Sequence, residues 1–140
     1  MFQLRILICV FFSWTVCSNA NDTIKGIPAR NEIVKLTNEA SDLLHKYNYE
    51  KSFITSRSAL QYAYTIKDNY LIAKSYNIIG ANYEQLAELD KAILYYKKGL
   101  SFANLANDVK NEINNNLGRI YCFKKKDYNT GISYLNKSLL

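Results

Sequence analysis

The stretch that decides the fold is Tyr76–Tyr96, YNIIGANYEQLAELDKAILYY. Its apolar residues recur three and four apart. Tyr76, Ile79, Tyr83 and Leu86 form one run, and Leu89, Ala92, Ile93 and Tyr96 form the next. This is the spacing of α-helices that each turn one face to a core.

The same periodicity extends in both directions. Ile33, Leu36, Ala40, Leu43 and Tyr47 form a stripe, followed by Tyr49, Phe53, Leu60 and Ala63. The third stripe starts at Ile72, and the fourth runs on to Leu100 and Ala103. Val109, Ile113, Leu117, Ile120 and Tyr121 make a fifth, and Tyr128, Gly131, Ile132, Leu135 and Leu139 a sixth. The chain has 5 glycines and 1 proline, so few residues interrupt regular structure, which favours long helices over a many-turned β fold. Asp68-Asn69 and Asn107-Asp108 stand where the third and fifth helices begin, and such residues cap helix N-termini. Lys126-Asp127 leads into the sixth helix, and Lys46–Tyr49 is the hinge after the first. Connections this short make neighbouring helices antiparallel.

The helices also recur as pairs. Tyr49-Glu50-Lys51-Ser52, Leu89-Asp90-Lys91-Ala92 and Tyr128-Asn129-Thr130-Gly131 hold one place in successive pairs, 40 and 39 residues apart. A period of this size marks a solenoid of supersecondary units. The expected domain is all-α and spans 31–140, with three antiparallel helix pairs at about 31–67, 68–106 and 107–140.

Tyr76-x2-Ile79-Gly80-x2-Tyr83, then Ala92 and Tyr96, resembles the tetratricopeptide repeat pattern. Leu117-Gly118-x2-Tyr121, then Gly131 and Leu135, matches in part. The first pair is degenerate, with Ala40 at the glycine position. The resemblance implies a right-handed α-solenoid in which Gly80, Gly118, Ala92 and Gly131 allow close helix crossings. The period of 38 to 40 residues exceeds the family's about 34, and one extra residue lies between Gly118 and Gly131. A longer period is similar to that of exported repeat regions in bacterial signalling proteins.

Function follows from what is present and what is missing. Residues 1–20 read as a signal peptide: Arg5, an apolar run from Ile6 to Trp14, then Ser18-Asn19-Ala20 as a small-x-small cleavage site. The run is too short to span a bilayer. A retained anchor or a buried helix are the other readings of it. Residues 21–30, with Gly26 and Pro28, read as a linker. Cleavage removes Cys9 and Cys17 and leaves Cys122, either a small buried hydrophobe or a reactive thiol. An exported location, periplasmic or extracellular, is expected. The net charge of +6 is scattered apart from Lys124-Lys125-Lys126, and export makes nucleic acid an unsuitable partner.

No constellation for catalysis, a metal or a cofactor stands out. His45 is the sole histidine, no phosphate loop is present, and Glu84 with Glu88 is one carboxylate pair on a helix surface. The expectation is a non-enzymatic scaffold that binds a protein or peptide, the alternative being the exported sensor part of a larger bacterial signalling protein with a kinase or DNA-binding output. The family resemblance places the first helix of each pair along a concave groove. The positions it selects are Thr37, Ser41, Leu44 and His45, then Lys74, Asn77, Ala81, Glu84 and Gln85, then Glu112, Asn115, Arg119, Cys122 and Phe123. Asn77, Glu84, Gln85, Asn115, Arg119 and Phe123 are the partner-binding candidates. Phe123 alternatively packs beneath the lysine loop. The family's clamp for chaperone tails needs Lys and Asn in the first repeat and Lys and Arg in the third. Thr37, Ser41, Glu112 and Asn116 stand there instead, which disfavours chaperone-tail binding. The apolar side of the last helix is expected either to self-associate or to be covered by continuing chain.

Overall fold

A computed structural model describes residues 26–103 and 107–139. Six α-helices follow in order: α1 Arg30–His45, α2 Tyr49–Thr65, α3 Asn69–Gln85, α4 Leu89–Phe102, α5 Asn107–Arg119 and α6 Tyr128–Lys137. A π-helical turn, Ile120–Lys124, continues α5. There is no strand among the described residues. The proposed leader, residues 1–20, lies outside them.

At α2, α3 and α6 a polar residue, Asn48, Asp68 or Asp127, starts the helix by accepting a bond from a free N–H group. Asp68 accepts from the Leu71 amide at 3.0 Å, and Asp127 from the Thr130 amide at 3.1 Å. Burial opposes ionisation of Asp68, but the Leu71 amide and the Arg30 guanidinium outweigh it and hold the carboxyl below its usual range. The expectation at Asn107-Asp108 needs correcting. Asn107 is already helical, and the Asp108 carboxylate accepts the Tyr70 hydroxyl from the preceding repeat at 3.2 Å. Likewise Arg30, assigned to the linker, opens α1 and pairs with Asp68 at 2.7 Å.

Within each pair a left-handed residue reverses the chain: Tyr47, Ala87 and Lys126, at φ 60°, 59° and 59°. Lys67 at φ 55° does the same between the first two pairs. This conformation favours glycine or asparagine, and none of the four is either, so the sequence carries no marker for it. The turns are held by backbone bonds. Asn48, Asp68 and Glu88 donate to the carbonyls five residues back, of Leu43, Ala63 and Tyr83. In the last pair Asp127 donates to Tyr121, six back. The extra residue counted between Gly118 and Gly131 is thus absorbed as a π turn, the usual structural form of a single insertion in a helix.

α1, α3 and α5 lie side by side, and each packs against its following partner. One core cluster, Ile33, Ala63, Leu71, Ile72 and Tyr76, joins the first two pairs. A second, including Ile93, Tyr96, Val109, Ile113 and Leu117, joins the last two. Crossings are close where side chains are absent. A Cβ on Gly80 would stand 2.7 Å from the Tyr96 ring, and Tyr96 is fully buried. α2 meets α1 through small residues, with the Ser52 hydroxyl donating to the Ala40 carbonyl at 2.8 Å. Aromatic rings fill the seams between helices: Tyr83 stacks on Tyr95 at 5.1 Å, and Tyr121 on Tyr134 at 5.6 Å.

Candidate functional site

The face formed by α1, α3 and α5 carries a polar ladder. Lys74 Nζ donates to Asn38 Oδ1 at 3.0 Å, linking α3 to α1. Asn116 Nδ2 donates to Asn77 Oδ1 at 3.1 Å, linking α5 to α3. Arg119 donates to Glu84 Oε1 and to Asn116 Oδ1, each at 3.2 Å. Glu84 also accepts the Tyr96 hydroxyl at 3.0 Å through Oε2. Both oxygens of one carboxylate are therefore held, one by an exposed guanidinium and one by a buried phenol. Burial first, then the Glu84 charge, pushes the Tyr96 phenol well above its ordinary value. Tyr96 stays a neutral donor at physiological pH and fixes Glu84 from beneath.

The six candidates do not share one environment. Arg119 is half exposed, and Phe123 is 66% exposed. Phe123 therefore does not pack beneath the lysine loop. Asn115 is exposed, and Gln85 is exposed while accepting from the Tyr49 hydroxyl at 3.4 Å. Glu84 is partly buried. Asn77 is 3% exposed and engaged with Asn116, so it supports the face and does not present itself to a partner. Two further positions implied by the resemblance are also interior. Thr37 is fully buried, its hydroxyl bonded to the Ile33 carbonyl, and Cys122 is 6% exposed.

Asn114, Asn115 and Asn116 show why sequence position alone misassigns such residues. A helix turns ~100° per residue, so three neighbours point three ways. Asn114 is buried and reaches the Lys137 carbonyl at 3.5 Å, Asn115 faces solvent, and Asn116 braces Asn77 and Arg119. Sequence reasoning missed Asn116, Asn38 and Tyr96 as supports. For Asn38 and Asn116 the only sequence signal is the recurrence of polar residues 36 and 39 positions apart, near the repeat period. Tyr96 reads in the sequence as a space-filling aromatic of the repeat pattern, and its hydroxyl contact with Glu84 lies 12 residues away within one pair.

The remaining polar groups have local uses. His45 Nδ1 lies 2.7 Å from the Ser41 carbonyl oxygen. Glu88 pairs with Lys91, and Glu84 with Arg119. Among the described residues no set of three His, Cys, Asp or Glu could hold a metal ion, and no helix is long and apolar enough to cross a membrane. Elsewhere, an open groove of about 480 Å³ runs along α2, lined by Phe53, Ile54, Arg57, Leu60 and Tyr64 among others.

The tetratricopeptide repeat family profile matches residues 73–104 and 112–140, the second and third helix pairs. The fold is similar to the crystal structure of the TPR domain of Arabidopsis FLU, with a TM-score of 0.68 and 18% identity over 80% of this chain and 95% of that one. No curated protein matches the chain.

Proposed function

Because this is a tetratricopeptide repeat protein, of a family whose repeats generally mediate contacts between proteins, we propose that it is a non-catalytic scaffold that takes a partner protein or peptide on the α1–α3–α5 face. The observation that carries the proposal is Arg119. Its guanidinium bridges two repeats through Glu84 and Asn116 and remains half exposed, with the exposed Phe123 ring one turn further along the same helix. Arginine held in a fixed orientation can pair with a carboxylate or stack on a ring, and an exposed phenylalanine can enter an apolar pocket. The favoured partner segment therefore carries an acidic group next to an apolar side chain. Gln85 and Asn115 supply exposed amide contacts on the same face. Export, and a place within a larger signalling protein, rest on the leader-like segment and the long repeat period.

The test is capture of partners from an envelope extract by the chain and by the Arg119→Ala/Phe123→Ala variant. Capture should weaken at least tenfold, ~1.4 kcal/mol or more, with the helical circular-dichroism signal retained because both side chains lie outside the core. Full capture by the variant would move the site to the outer face of α2 and α4.

A further inference from the structure

The two ends of the solenoid differ in chemistry. α4 and α6 hold the same place in successive pairs, 39 residues apart. In α4, Ile93 is 8% exposed because it joins Val109 and Ile113 of α5 in the core. Its equivalent in α6, Ile132, is 52% exposed. Leu100 is half-buried, whereas its equivalent Leu139 is 83% exposed. Tyr128, in the place of half-buried Leu89, is 55% exposed. At the opposite end, α1 turns Asn31, Glu32, Lys35, Glu39 and Asp42 to solvent. The matching residues of α3, Leu71, Ile72, Ser75, Ile79 and Asn82, are all buried. α1 is therefore a polar cap, and α6 carries the apolar surface of an internal helix.

We propose that the α6 face is a self-association surface on which a second copy of this chain docks, α6 antiparallel to α6 about a two-fold axis. Head-to-tail stacking would press Ile132 and Leu139 onto carboxylates of α1 and strip those of water, a cost that tail-to-tail pairing avoids. The stripe itself fits such an axis. Tyr128, Ile132 and Leu135 of α6, with Leu139 two residues past its end, are spaced four, three and four apart, the apolar spacing of a coiled coil. That spacing reads the same in both directions. Antiparallel pairing sets Tyr128 against the second copy's Leu139, and Ile132 against its Leu135. Leu135 is half-buried, since it also packs on Gly118. A symmetric interface brings each side chain near its own copies, so like charges beside the seam would oppose it. Here the seam is bordered by Asn129, Gly131, Asn136 and Ser138, all uncharged in a chain of net charge +6. Lys137 lies off the seam, over the Tyr134 ring at 5.2 Å.

Sedimentation velocity of the purified chain over a concentration series tests this. The expected result is a reversible equilibrium between the monomer and a species of twice its mass. Ile132→Glu should raise the dissociation constant at least ~10-fold, with unchanged helical signal because Ile132 is half exposed. Leu139→Glu serves as a second variant at a more exposed position. Ile132→Lys should behave like Ile132→Glu alone, and an equimolar mixture of the two should recover the dimer, because the two positions flank the axis. A monomer at every concentration, a mass that grows past the dimer, undiminished pairing by both glutamate variants, or no recovery on mixing would each overturn the proposal.

Discussion

The second and third helix pairs carry the same motif and solve the same packing problem with different parts. In the second, Gly80 receives the ring of Tyr96, whose hydroxyl continues to Glu84 and through it to Arg119. In the third, Gly118 receives Leu135, which has no polar tip to extend the contact. The second pair closes its turn five residues back at Tyr83, the third six back at Tyr121. Yet the rings that follow meet alike, Tyr83 on Tyr95 and Tyr121 on Tyr134. The interface between helices is thus conserved in shape while the connector changes length. The inserted residue is taken up in the π turn before it can shift α6. What differs most is the surroundings: α4 is covered by α5, whereas α6 has no described neighbour beyond it.

The largest expected effect breaks the comparison at its centre. Tyr96→Ala removes a fully buried ring and should cost ~3–5 kcal/mol in chemical denaturation. Leu135→Ala, at the equivalent half-buried place, should cost less than half of that. Equal losses would mean that the third pair is as tightly enclosed as the second.

A smaller effect tests the helix crossing. Gly131 stands where the second pair has Ala92. A Cβ on Gly131 would meet Cys122 Sγ at once and the Cys122 amide nitrogen at 2.9 Å. Gly131→Ala should therefore destabilise by ~1–3 kcal/mol, since α6 must move to accept a methyl group. Cys122→Ala should recover part of that loss, leaving the share owed to the backbone. Denaturation midpoints of the three variants measure it. No recovery would mean that the backbone alone limits the crossing.

The smallest effect concerns the insertion. Deleting Lys124 restores the connector length of the second pair and should turn the π segment into plain α-helix. The midpoint should change by less than ~1 kcal/mol, as for an exposed position outside the core. A large loss would show that the π turn, and the placement of Cys122 under Gly131, is required for the third pair to close.

Much of this was legible in the sequence. The six helices begin and end close to the limits of their apolar stripes, because periodic burial is a local property written every three or four residues. Gly80 and Gly118 marked the crossings, and Asp68 and Asp127 marked helix starts, since steric space and a free amide each demand a short list of side chains. The left-handed turns at Tyr47, Ala87 and Lys126 were not legible, because tertiary packing holds residues there that have no preference for that conformation.

The sequence by itself determined that this chain is a stack of helix pairs with one face rich in polar and aromatic groups. Only the tertiary structure decided which of those groups are free. Asn77 and Asn115 look alike along the chain. One is buried against Asn116 of the next repeat, and the other faces water. Likewise Ile93 and Ile132 occupy one place in the repeat and differ only in whether a neighbouring helix lies over them. The physical reason is common to both. Periodicity fixes the direction a side chain takes from its own helix, but its exposure and its hydrogen-bond partner come from an element about forty residues away.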